Sequence, residues 1–111
     1  MARRAPPLGP KSLVLTRAAE TDIDSIFDYI AREAGTDIAI RFAERIDAEL
    51  AGLAELGHSG VSREWISVGL RLTTIGDYCI YFRISPSETV IIRVLHGSRD
   101  VSQIGFDDPG A

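Results

Sequence analysis

Two apolar stripes at helical spacing follow one another with about two residues between them, and this arrangement constrains the fold more than any other feature. The first stripe holds Ala19, Ile23, Ile26, Phe27, Ile30 and Ala34; the second holds Ala39, Phe42, Ala43, Ile46, Leu50 and Leu53. Thr16 or Thr21 is placed to cap the first helix, the latter with Asp24 three residues on as an acidic capping-box partner. Glu20, Asp22, Asp24 and Asp28 lie off the stripe, most of them near the positive end of the helix dipole. Gly35 suits a left-handed helix end, Thr36 begins the second helix, and Gly57 closes it. A link this short leaves the two helices antiparallel.

The pattern changes after Gly57. HSGVSREWISVG reads as a connection, with small and polar residues around the lone Trp65. GLRLTTI, DYCIYFRI and TVIIRVLH are strand-length runs rich in β-branched and aromatic residues, separated by Gly76-Asp77 and by Ser85-Pro86-Ser87-Glu88. Both separators are turn chemistry, so the runs form a three-stranded antiparallel meander. Leu13-Val14-Leu15 is the natural fourth strand. Burial of both stripes then gives an α+β domain: an N-terminal strand, a two-helix antiparallel hairpin and the meander, with the hairpin lying on one face of an antiparallel sheet. The run VIIRVL is apolar on both alternating sets, so the other face is expected to leave a patch that a partner covers. Residues 12–106 make up the single domain. Residues 1–11, with three prolines and three basic residues, read as a flexible arm, either contacting a partner or doing little; residues 107–111 read as a tail.

A length of 111 residues suits one domain. Twelve Lys and Arg against 16 Asp and Glu give a formal charge of −4, a poor basis for gripping a nucleic-acid backbone. One cysteine, Cys79, excludes an internal disulfide and a cysteine zinc cluster, and it reads as a buried small hydrophobe within a strand. Nothing approaches the length of a membrane span and no secretory leader is evident, so a cytoplasmic location is expected. No Walker loop, GxGxxG, HExxH, CxxC or GxSxG occurs, and neither metal nor cofactor is implied. His58 beside Ser59 reads as an exposed loop histidine rather than half of a nucleophile pair. The helix acids, among them Asp22, Asp24, Asp28, Asp47 and Glu49, read as a solvated face.

Basic residues of the sheet half remain. Arg71, Arg83 and Arg93 interrupt apolar strands, and His96, Arg99 and Asp100 follow where the last strand ends. Strand parity points Arg93 the same way as Ile91 and Leu95 and opposite to His96. An arginine in an apolar strand needs a partner or an edge. Two readings stand: ion pairs such as Arg93 with Asp77, or a cationic spot for a phosphate or an acidic protein.

Gly69-Leu70-Arg71, then GDYCIYFRI, then Arg93-Val94-Leu95-His96-Gly97-Ser98-Arg99-Asp100 resemble, in order and spacing, the RelE/ParE superfamily of type II toxin–antitoxin toxins, the ParE branch best. Ala19, Asp22, Ile26 and Tyr29-Ile30 extend the resemblance into the helices, covering roughly residues 12–106. Arg17 stands where family members often have proline, and the proline-bearing arm is additional. The resemblance implies a toxin neutralised by a cognate, ParD-like antitoxin in a hetero-oligomer, a plasmid-stabilisation type of module with no direct sequence-specific DNA binding. It marks Arg71, Tyr78, Arg93, His96, Arg99 and Asp100 as target-binding or motif residues. Ile26, Tyr29, Phe42, Ile46 and Leu50 of the hairpin are the candidate antitoxin contacts, through a helix laid in a groove or a strand added to a sheet edge.

Two activities occur in the superfamily: inhibition of DNA gyrase by ParE-like members and ribosome-dependent mRNA cleavage by RelE-like members. Metal-free cleavage needs clustered cations with an acid or base. RelE-like nucleases resemble this chain at Arg71 and Arg99, but they carry a further arginine where Cys79 stands and a tyrosine near the C-terminus, where this chain has Gly105-Phe106. Lys11 is the only lysine, and residues 57–111 hold five arginines against six acids. A gyrase-binding toxin with no catalytic residues is therefore expected; the alternatives are the mRNA endonuclease and a non-toxic binding module on the same scaffold.

Overall fold

The computed structural model describes residues 12–56 and 60–106. The arm 1–11, the tail 107–111, Gly57 and His58 fall outside them. In chain order the elements are β1 (Ser12–Leu15), α1 (Arg17–Ala34), α2 (Thr36–Leu56), β2 (Val61–Ser62), β3 (Arg71–Ile75), β4 (Tyr78–Ile84) and β5 (Glu88–His96).

Of the two threonines able to cap α1, Thr16 does so. Its hydroxyl accepts from the Ala19 N–H at 3.0 Å and donates to the Ile92 carbonyl at 2.8 Å, fixing the helix start to the sheet. Gly35 ends α1 with φ 102° and ψ 156°, a mirror-extended conformation that glycine alone adopts readily, not the left-handed helical one expected. Its N–H still closes on the Ala31 carbonyl, and its own carbonyl accepts the Ala39 N–H, so one residue serves both helices.

The strands form one five-stranded sheet, ordered β1-β5-β4-β3-β2. The meander β3–β4–β5 is antiparallel as expected. Two features correct the expected all-antiparallel sheet. β1 pairs with β5 in parallel, Ser12 opposite Glu88 and Leu15 opposite Ile91. Apolar alternation marks the faces of a strand but not its direction, and the helices and meander between them supply the long crossover that parallel pairing needs. The segment expected to be a connection also adds β2, pairing Val61 with Leu72 and Ser62 with Arg71.

One sheet face packs against the helices through Ala19, Ile46, Leu50, Leu53, Ile75, Ile80, Phe82, Ile91 and Val94. On the opposite face a second core joins Leu70, Leu72, Tyr81, Val90, Ile92, Leu95 and Phe106, with Ile66, Cys79, Val101 and Ile104 against it. The face expected to need a partner is thus covered in large part by the chain's own 63–70 turn and its C-terminal segment. Burying Leu72, Tyr81, Ile92 and Leu95 repays the ordering of segments that have little regular structure of their own.

A bulge opposite Tyr81 and Phe82 breaks the parity of β5. Tyr81 pairs with Arg93 and Phe82 with Ile91, so Ile92 is the extra residue. Ile91 consequently faces the helices while Leu95 faces away, contrary to the strict alternation read from the sequence.

Candidate functional site

Tyr78 pairs with Ile75 on one side and His96 on the other, which places the Gly76-Asp77 turn beside the end of β5. The Gly97 N–H donates to the Asp77 carbonyl at 2.7 Å, tying the two together. A Cβ at position 97 would stand 3.2 Å from that oxygen, so a side chain there would crowd the turn. α1 passes over the same end. The result is an open groove of about 570 Å³, lined by Asp22, Ser25, Ile26 and Tyr29 from α1, Asp77 and Tyr78 from the turn, and Val94 through His96, Ser98 and Arg99.

Aromatic rings organise its interior. Tyr78 packs between Phe42 of α2 and His96, with ring centroids 5.3 Å away in each case and an edge-on geometry toward His96. Burial, followed by the neighbouring Tyr29 and Asp77, raises the Tyr78 pKa above the ordinary tyrosine value. Tyr78 therefore stays protonated and is a donor, not a base, at neutral pH. The His96 Nδ1 accepts the Ser98 N–H at 3.1 Å and lies 2.7 Å from the Ser98 hydroxyl. Since Nδ1 acts as an acceptor, the neutral ring carries its proton on Nε2.

The arginines do not gather. Arg93 donates through Nε and Nη2 to the two oxygens of Asp22, at 2.7 and 2.8 Å, and Asp22 also accepts the Val94 N–H at 2.9 Å. Its hydrogen bond to Asp22 is the main cause that raises the Arg93 pKa. The expected partner, Asp77, is not the one used, and Asp22 is not part of a solvated face. Its carboxylate caps the β5 edge just beyond the point where β1 stops. Arg83 donates through Nε to the Val68 carbonyl at 3.0 Å, through Nη1 to the Phe106 carbonyl and through Nη2 to the Ser67 hydroxyl. Arg71 donates to the Gly60 carbonyl at 2.9 Å and sits in the row of Phe82, four residues from Ile75 and so about 13 Å along the sheet from the Tyr78–His96 row.

Of the marked residues, the structure brings Tyr78, His96 and Arg99 into one groove and links Arg93 to it through Asp22; Arg71 is remote. Arg99 is exposed, its N–H held by the His96 carbonyl at 2.9 Å. Asp100 is exposed and outside the groove lining, and hydrogen bonding from Ser102 holds its carboxyl below the usual range. Among the helical candidates, Ile26 and Tyr29 line the groove and Phe42 borders it through Tyr78. Ile46 and Leu50, only 1% and 4% exposed, belong to the core and present nothing to a partner in this conformation. Cys79 is half-buried against the second core, and burial raises its thiol pKa.

Asp22 is the site residue that sequence reasoning missed. The signal was present: it lies three residues after Ala19, four before Ile26 and seven before Tyr29, on the ladder that faces β5 rather than off it. Among the described residues no three His, Cys, Asp or Glu converge on a metal position, and no helix is long and apolar enough to cross a membrane.

Residues 13–101 match the family model described as the ParE toxin of the type II toxin–antitoxin system parDE. The chain is 31% identical over 84 residues to Toxin ParE1 of Caulobacter vibrioides, covering 76% of this chain and 86% of that one. It is 24% identical over 94 residues to Toxin ParE3 of the same organism, covering 84% and 94%. Among solved structures, the chromosomal ParDE TA system from P. aeruginosa superposes with a TM-score of 0.68 at 26% identity, over 78% of this chain and 95% of that chain. With its match running through both helices, the meander and the groove, the chain belongs to the ParE family of type II toxin–antitoxin toxins.

Proposed function

We propose that this toxin acts by binding a protein target, DNA gyrase, and is neutralised by a ParD-like antitoxin seated in the groove between α1 and the end of β5. The observation that carries this reading is the fate of the guanidinium groups. Arg93 is closed by a carboxylate, while Arg83 and Arg71 are tied to main-chain carbonyls. Arg99 remains in a groove that also holds Asp77. Cleaving a phosphodiester without a metal calls for several converging cations around the developing charge, and one arginine in a groove with Asp77 and the Arg93-paired Asp22 is a weak arrangement for it. Half-buried Ile26 and Tyr78 and exposed Tyr29 instead offer amphipathic contact surface of the kind that receives a partner's apolar anchors.

The endonuclease reading retains one specific support, His96 beside Arg99 in the same groove. Expression of the chain alone separates the readings. Growth arrest with an induced DNA-damage response and intact transcripts is expected, and co-expression of the antitoxin should relieve it. Transcripts cut on the ribosome would favour the endonuclease, and tolerance of high expression would favour the non-toxic module.

A further inference from the structure

The groove leaves Arg83 unexplained. It stands on β4 beside Tyr81, on the face turned away from the helices, and its guanidinium fork reaches two segments far apart in sequence. Nε donates to the Val68 carbonyl and Nη2 to the Ser67 hydroxyl, both in the 63–69 turn, while Nη1 donates to the Phe106 carbonyl at the end of the C-terminal segment. The turn is otherwise tied to Ser62 of β2, whose hydroxyl accepts the Glu64 N–H at 3.3 Å and whose carbonyl accepts from Arg63 Nη1 at 3.0 Å, and to itself: the Gly69 N–H meets the Glu64 carboxylate at 2.7 Å and the Leu70 N–H meets the Ser67 carbonyl at 3.1 Å. Residues 101–106 are likewise held locally, by the Ile104 N–H on the Val101 carbonyl at 3.1 Å. Phe106 lies on Tyr81, with centroids 4.8 Å apart. Neither segment forms a helix or a long strand, yet together they cover the second core.

We infer that Arg83 is a latch: one guanidinium joins the 63–69 turn and the 101–106 strap, so that the two open as one cooperative unit and uncover the second face of the sheet together. The chemistry favours arginine here. A planar fork with donors along both edges serves two segments at once, whereas a lysine ammonium on a flexible stem fixes no such angle. Only loop backbone and a few apolar contacts hold each segment, which places both at the low-stability end of the molecule. When they part, Leu72, Tyr81, Ile92 and Leu95 become accessible as one apolar surface, with the helix-side core intact.

Hydrogen exchange on the full chain, read segment by segment, tests this inference. In Arg83→Met, exchange at the turn amides (Ile66, Gly69) and at Ile104 should rise together by about tenfold or more, because a hydrogen bond from a charged donor is worth at least that factor in an opening equilibrium. Amides of α1 and α2 should stay unchanged, which also confirms folding. Should Arg83→Met fail to fold, Arg83→Lys keeps the charge and should show the same paired rise, smaller in size. Phe106→Ala then isolates the coupling. It should speed the turn in the wild-type background and add nothing there once Arg83 is replaced. Acceleration of one segment alone, no acceleration of either, or an equal effect of Phe106→Ala in both backgrounds (coupling through Ile66 packing instead) would each overturn the latch.

Discussion

Asp22→Ala lowers the free energy of unfolding by about 3 kcal/mol, a large share of the stability of a domain this size. The carboxylate accepts three hydrogen bonds, two from Arg93 and one from the Val94 N–H. Its removal leaves a guanidinium whose side chain is only 19% exposed, beside a strand-edge N–H that β1 does not reach. Breaking a fully buried pair costs about 3–5 kcal/mol; partial exposure of both side chains, 19% and 12%, places this one at the lower end. The midpoint of thermal unfolding should fall by roughly 15 °C. Asp22→Asn keeps an acceptor for Val94 but loses the charge, and should cost about half as much. Adding Arg93→Met to Asp22→Ala should recover part of the loss, since no unpaired charge then remains. A loss below about 1 kcal/mol for Asp22→Ala would mean that the pair is not what holds α1 to β5.

The second large effect concerns the antitoxin. Tyr29 is 52% exposed on the groove wall, so replacing it costs the toxin little stability while altering the surface a partner meets. Tyr29→Asp should weaken antitoxin binding roughly 100-fold, about 2.7 kcal/mol, because it removes an aromatic anchor and places a second acid near Asp77. Tyr29→Phe should bind within a few-fold of the wild type. Trp65 is more exposed still, at 77%, but lies on the 63–69 turn outside the groove, and Trp65→Ala should leave affinity unchanged. Titration calorimetry on the purified pair measures all three. If Trp65→Ala were the damaging change and Tyr29→Asp the silent one, the antitoxin would be seated on the other side of the molecule.

The helical hairpin and the meander were legible because each is written in local chemistry. Stripes at three- and four-residue spacing, a glycine between them and turn residues between β-branched runs each act over a few positions. What escaped depends on contacts distant in sequence. The parallel pairing of β1 with β5 joins residues separated by both helices and most of the meander, and nothing within Leu13-Val14-Leu15 records its direction. The bulge at Ile92 shifts parity without any glycine or proline to announce it. Asp22 reads as one acid among several at the start of a helix, and its place on the Ala19–Ile26 ladder gains its meaning with the β5 edge beneath it, where it takes Arg93 and the Val94 N–H. Phe106, at the end of the domain, reads only as the place where a nuclease tyrosine is lacking until Tyr81 is seen beneath it. Of the candidate site, Tyr78 and His96 meet because an antiparallel ladder places one opposite the other, and Arg99 joins them in the groove three residues on. Arg71 and Arg83 stand apart: Arg71 donates to the Gly60 carbonyl, and Arg83 reaches the 63–69 turn and the Phe106 carbonyl on the other face.

Supercoiling of relaxed plasmid by purified gyrase, with purified toxin titrated in, addresses binding as the mode of action most directly. Inhibition at near-stoichiometric toxin is predicted, reversed by adding antitoxin and strongly reduced in Arg99→Ala, while ribosome-bound messenger incubated with the same toxin stays whole. Unimpaired supercoiling together with Arg99-dependent cleavage of that messenger would contradict it.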